Sequence, residues 1–214
     1  MLIREFCAEN VERAPAAIAA GAARIELCDN LAVGGTTPSC GVIRAAVELC
    51  RPAGVAVMCM VRPRGGNFEY TAAEARIMED DLLCAAELGV DGVVLGCLRE
   101  GHLDCELTSR LVGMAKERGL LVTFHMAFDE LAKDEALAAI DWLAELGVDR
   151  VLTHGGAAGT PIAGNLERLR SYVRRAAGRL VVLPGGGVSW ENAGMVADAL
   201  GVCEVHGTRI VKLD

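Results

Sequence analysis

The sequence predicts an α/β fold of the (β/α)8 TIM-barrel type, on three observations. A junction of helix, glycine and apolar strand recurs along the chain. Ala86-Glu87-Leu88-Gly89-Val90-Asp91 leads into Gly92-Val93-Val94-Leu95, and Ala144-Glu145-Leu146-Gly147-Val148-Asp149 leads into Arg150-Val151-Leu152-Thr153. Looser copies precede Arg24-Ile25-Glu26-Leu27-Cys28 and Val202-Cys203-Glu204-Val205-His206. Glycine suits the left-handed position that closes a helix, and the β-branched run after it reads as a buried strand. Eight such strands begin near Leu2, Arg24, Val55, Gly92, Leu120, Arg150, Leu180 and Val202, about 22 to 37 residues apart, the size of a βα unit. The length of 214 residues fits one domain, residues 1–214, with no linker or low-complexity tract. Eight βα units in one domain close into a barrel more readily than they open into a doubly wound sheet.

The intervening segments read as helices in order. Asn10 and Asn192 are expected N-caps, and Thr71 with Glu74 has capping-box spacing ahead of a helix running to Leu88. Asp134 to Leu146 and Asn165 to Ala177 follow. The sequence stops at Asp214, shortly after the eighth strand, so the last helix is expected to be short or missing. The flank this leaves uncovered predicts a homo-oligomer.

Composition narrows the functional classes. A net charge of −8 and a pI near 5.1 argue against nucleic acid and anionic membranes as partners. No apolar run approaches the roughly 18 residues of a membrane span. Arg4, Glu5, Glu9, Glu12 and Arg13 interrupt the first twenty residues, which argues against a secretory leader and predicts a cytoplasmic protein. The nine cysteines are odd in number, lack C-x-x-C spacing and fall in apolar runs. Most are therefore expected to be reduced core thiols, available to a soft metal.

Strand parity selects the candidate residues. Alternation puts Arg24, Glu26 and Cys28 on one face of strand two and Ile25 and Leu27 on the other. The apolar pair must pack on helices, so the polar set points into the barrel. The same parity turns inward Glu5 and Cys7 on strand one, Met58, Met60 and Arg62 on strand three, Thr123 and His125 on strand five, and Glu204 and His206 on strand eight. Cys59 turns outward. Cys7 and Cys28 then end adjacent strands at matching depth, where two thiolates suit a linear Cu(I) ion. At the strand C-termini, Gly186 and Gly187 of the Pro184-Gly185-Gly186-Gly187 turn, Thr153, Arg62 and Arg64 offer an anion site. Glu26, His125 and His206 are the candidate proton carriers. Glu26 and Arg62 could equally form an ion pair that fills a polar barrel layer.

Several blocks resemble the copper homeostasis protein CutC family: Ile25-Glu26-Leu27-Cys28, Gly34-Gly35-Thr36-Thr37-Pro38-Ser39, Arg62-Pro63-Arg64-Gly65-Gly66-Asn67-Phe68-Glu69-Tyr70, Thr123-Phe124-His125 and Glu204-Val205-His206. The resemblance spans nearly the whole chain. It implies the barrel, a cytoplasmic location, homo-oligomers and copper at Cys7 and Cys28. The chain departs from the family pattern at Met126, where Arg is usual, at His154, where Ser is usual, and in a short C-terminus. Two functions follow as expectations. One is Cu(I) buffering or trafficking through the two cysteines. The alternative is an enzyme on a small anionic substrate, phosphorylated or not, held by Arg62, Arg64, Thr153, Gly186 and Gly187.

Overall fold

A computed structural model describes residues 2–156 and 159–213 of the chain. Among the described residues ten strands and seven α-helices follow one another. In order they are β1 Ile3–Glu9, α1 Ala14–Ala19, β2 Arg24–Cys28, α2 Cys40–Cys50, β3 Ala56–Met60, α3 Ala72–Glu87 and β4 Gly92–Leu95. A small hairpin follows, β5 Leu98–Arg99 with β6 His102–Leu103, then α4 Cys105–Lys116, β7 Leu121–Phe124, α5 Lys133–Leu146 and β8 Arg150–Thr153. The chain continues through α6 Leu166–Ala176, β9 Val181–Pro184, α7 Ala193–Leu200 and β10 Glu204–Gly207. Apart from the β5–β6 hairpin, all strands join one sheet in the order β10-β1-β2-β3-β4-β7-β8-β9, every pair parallel. The sheet's outer strands, β9 and β10, come together and bring it nearly to closure. This is a (β/α)8 barrel. No helix follows β10 among the described residues.

Local chemistry accounts for the element ends. Gly147 and Gly201 close α5 and α7 with φ of 90° and 68°, the left-handed backbone that only glycine adopts without strain. Thr71 and Glu74 form the full capping box of α3. Asn192 stands at the N-cap of α7, but its Oδ1 accepts from the Ser189 amide 2.8 Å away instead of capping the helix. Asn10 is not an N-cap. It takes a left-handed turn with φ 60° and bonds Val11 N, while Arg13 precedes α1. A turn satisfied by its own asparagine side chain leaves nothing over for a helix three residues on.

The main core lies between sheet and helices, from Phe6, Ile25, Leu27 and Cys59 round to Val205 and Ile210. A second cluster sits inside the barrel and consists of Cys7, Cys28, Met58, Met60 and Val94. Parity thus separates Met58 and Met60 inside from Cys59 outside. Not every cysteine is an isolated thiol. Cys40 at the start of α2 and Cys84 on α3 stand as a disulfide pair with Cα atoms 6.9 Å apart, bridging neighbouring helices outside the barrel.

Candidate functional site

The barrel interior is layered. At the N-terminal ends of the strands lies a charged layer. Arg24 pairs with Glu5 and, at 2.6 Å, with Glu204, whose other partner is Arg150 at 2.9 Å. Buried charges persist only when paired, and this network extends through Glu5 into the layer above. One layer higher stand His206, Glu26 and Cys7. His206 Nδ1 is 2.8 Å from Glu5 Oε1, and its Nε2 is 3.6 Å from Glu26 Oε2. Glu26 therefore meets His206 and the Cys28 thiol (3.6 Å), and not Arg62. Its second oxygen, Oε1, is buried without a partner.

The two cysteines stand on adjacent strands but not at equal height. In the ladder Cys7 pairs with Glu26, and Cys28 pairs with Glu9, one inward position further along. Parallel strands offset in this way still bring both thiols into one inner cluster, close enough for each to shift the other's proton affinity. Cys7 is 7% exposed and lines a cavity of about 300 Å³ at the C-terminal mouth of the barrel. Cys28, at 1%, lies beneath Gly35, where an added Cβ would stand 3.1 Å from its Sγ.

Besides Cys7, the cavity is walled by Glu26, Met60, Arg62, Phe68, His125, His206 and the Gly186–Gly187 turn. Arg62 is spent largely on loop structure. Its guanidinium donates to the carbonyls of Val33, Gly35 and Gly66 and lies 4.7 Å from the Phe68 ring centroid. Only its Nε, buried, has no partner. His125 accepts from Ala127 N at Nδ1 (3.2 Å), which places its proton on Nε2, also buried and unpartnered.

Two candidate anion ligands lie elsewhere. Arg64 is drawn to Glu74 at 2.5 Å and to the carbonyls of Gly65, Asn67 and Glu69, outside the cavity lining. Thr153 donates its hydroxyl to Asp129, which also accepts from the amides of His154 (2.8 Å) and Gly155 (3.1 Å). Thr153, expected to help hold an anion after the sixth barrel strand, is thus occupied by the protein's own carboxylate. His154 is buried against Gly185 O and Thr160 and does not line the cavity, whereas Met126 does.

Burial and pairing set the proton inventory. Burial pushes the Glu5 carboxyl up, but the His206 hydrogen bond and the Arg24 charge outweigh it and hold the group at about 2. His206 is disfavoured as a cation by burial, yet Glu26, Cys7 and Glu5 together raise it well above an ordinary histidine. The Cys28 hydrogen bond and burial hold the Cys7 thiol well above its ordinary value. Cys28 is favoured as thiolate by Cys7, but burial and Glu26 prevail and push it up to about 11. Burial and the nearby Arg62 charge push His125 down to about 3. At neutral pH the site thus holds protonated thiols, an imidazolium at His206 and a neutral, donating His125.

The donor set fits Cu(I). Four of the five side chains in the inner cluster present sulfur, two as thiols and two as thioethers, the ligand types a soft monovalent ion prefers. Parity made Cys7, Glu26, His125 and His206 legible from the sequence. It did not show Glu5 as the partner that orients His206, although Glu5 shares the same inward parity on β1. Nor did it show Asp129, a loop residue whose destination no periodicity encodes.

Comparison with known proteins agrees with this geometry. The CutC family model matches residues 2–211. A CutC family protein of Enterococcus faecalis is 55% identical over 211 residues, covering 98% of this chain and all of that protein. The human copper homeostasis protein cutC homolog is 40% identical over 205 residues, 95% of this chain and 72% of its own length. The crystal structure of CutC from Streptococcus agalactiae superposes with a TM-score of 0.95 at 45% identity, covering 99% of this chain and 100% of that one. With the barrel, the paired inner cysteines and the matched blocks in agreement, the chain belongs to the CutC family.

Proposed function

We propose that this chain serves copper homeostasis by holding Cu(I) between the Cys7 and Cys28 thiolates, as a cytoplasmic buffer or carrier. The single observation that carries the reading is the inner sulfur cluster of Cys7, Cys28, Met58 and Met60, set apart from the main core. The cavity gives an ion a path to Cys7 first, with Cys28 directly behind it. No helix among the described residues is long and apolar enough to cross a membrane. Support for a homo-oligomer comes from Trp190 and Met195, about half exposed, with Trp190 N bonded to Arg209 O just past β10. An anaerobic Cu(I) titration against a chromogenic chelator tests the copper site. One tight equivalent is expected in the wild type and none in Cys7→Ser/Cys28→Ser; binding indifferent to both substitutions rejects the reading.

One observation favours the enzyme reading. Arg62 and His125 both line the cavity together with the Gly186–Gly187 turn, and each has a buried N–H without a partner. Unpaired buried donors are costly, and an anionic ligand for which these side chains turn towards the cavity would satisfy them. In that reading Glu26 and His206 exchange the proton, and His125 donates a hydrogen bond. Phosphorylated metabolites that raise the unfolding temperature of the wild type but not of His125→Ala would support it; none doing so would set it aside.

A further inference from the structure

We propose that Cys7, Glu26 and His206 form a three-ligand site for a borderline divalent ion of the zinc type, with its fourth position open to the cavity. This goes beyond the copper reading and does not use Cys28.

The geometry is that of a prepared metal site. One ligand atom from each of the three residues lies within 4.8 Å of the others, and all three residues are buried. The 3.6 Å between Glu26 Oε2 and His206 Nε2 is close to the edge of a tetrahedron with bonds of about 2.0–2.1 Å, which is roughly 3.4 Å. His206 is oriented from behind. Glu5 Oε1 holds Nδ1 at 2.8 Å and leaves Nε2 facing the other two ligands, the carboxylate–histidine–metal arrangement that fixes ring and tautomer in metalloproteins. Glu26 supplies a second, independent sign. Its Oε1 is a buried carboxylate oxygen with no hydrogen bond, a group that a cation would satisfy.

The donor types choose the ion. One sulfur, one oxygen and one imidazole nitrogen are a poor set for Cu(I), which favours sulfur, and a good set for Zn(II), which takes all three. Cys7, Glu26 and His206 all line the cavity, so the open position faces a space of about 300 Å³ and not the packed core. Three protein ligands with one open position is the pattern of catalytic rather than structural zinc. On loading, the Cys7 thiol and His206 Nε2 each release a proton to water in the cavity, and the ion replaces both. Because Cys7 belongs to both sites, Cu(I) and the divalent ion exclude one another.

Cobalt(II) is the probe, titrated into the reduced full chain without oxygen and followed by absorbance. One equivalent is expected to give the ligand-field bands of a tetrahedral centre together with thiolate-to-cobalt charge transfer. Cys28→Ser should retain this spectrum. Cys7→Ser should lose the charge-transfer band, and His206→Ala should bind no cobalt. Glu5→Gln, which leaves the three ligands in place, should weaken cobalt by about 10- to 100-fold. The proposal is overturned by a wild-type chain with no tetrahedral spectrum, by a spectrum lost in Cys28→Ser, or by an undiminished spectrum in His206→Ala. Should His206→Ala fail to fold, Glu5→Gln decides, and unchanged cobalt affinity there overturns it. The copper reading fails separately, by Cu(I) affinity that Cys28→Ser leaves intact.

Discussion

Gly96 lies so close to His125 that a Cβ at that position would stand 2.5 Å from both Nδ1 and Cε1 of the imidazole. The glycine at the end of β4 is thus the space in which the ring sits, and the ring's Nδ1 is the acceptor for Ala127 N. Gly96→Ala must push the ring off that amide or push β4 away from β7. Overpacking of this kind costs about 1–3 kcal/mol. Thermal unfolding should show it, and the His125 ring resonances should shift with it. An unchanged unfolding temperature would contradict the contact.

His125 also makes the fold sensitive to acid. Its folded-state value of about 3 lies below the ordinary 6.5, so the unfolded chain binds this proton more readily. The stability that goes with a neutral His125 is complete above about 6.5 and is withdrawn as pH falls from there towards 3. At about 1.4 kcal/mol for each pH unit between those values, the loss is on the order of 5 kcal/mol. Denaturant titrations of wild type and His125→Gln across this range should converge as the medium turns acid. Parallel curves would mean that the imidazole is not held neutral.

Copper affinity should rise with pH as well, but through the neutral range and for a different reason. Both thiols are protonated at neutral pH, since Cys28 is pushed up to about 11 and Cys7 lies well above its ordinary value. A Cu(I) ion bound between two thiolates therefore displaces two protons. Its apparent affinity should rise by about 100-fold per pH unit through the neutral range, about tenfold for each thiol. Chelator competition at several pH values, corrected for the chelator's own protons, reads this slope directly. A slope near tenfold would assign the ion to one thiol alone.

What could be read from the sequence, and what could not, divides along the same physical line. Strand starts, inward parity and the α3 capping box follow from local periodicity and from glycine's access to the left-handed backbone. They place Met58 and Met60 inside and Cys59 outside, as the two core clusters do. Depth along the barrel axis is not local. It depends on how neighbouring strands are offset, so Cys7 and Cys28 prove to be one inward position apart in the ladder. Loop arginines are less legible still. Arg62 and Arg64 share a nine-residue block, yet one enters the barrel mouth and the other closes on Glu74, because long side chains follow whichever carbonyls the loop presents.

Asp129 is the clearest case of a loop side chain taking up donors that the strand end would otherwise present. Its carboxylate fills the nest formed by the Thr153 hydroxyl and the amides of His154 and Gly155, which would otherwise present three donors to an anion. Asp129→Ala should leave the Thr153 hydroxyl and the His154 amide unpaired in a buried setting, while the Gly155 amide keeps Thr153 Oγ1 at 2.9 Å, at a cost of about 3 kcal/mol. The vacated nest should then accept a tetrahedral anion. Sulfate or phosphate is expected to restore part of the lost stability in a concentration-dependent way, as any ligand of the folded state does, while the wild type gains nothing comparable. Chloride at equal ionic strength serves as the control. Recovery equal in chloride and sulfate would show general screening and would remove the nest from the account. Recovery specific to sulfate would show that this barrel builds an anion-binding loop after β8 and keeps it closed with its own carboxylate.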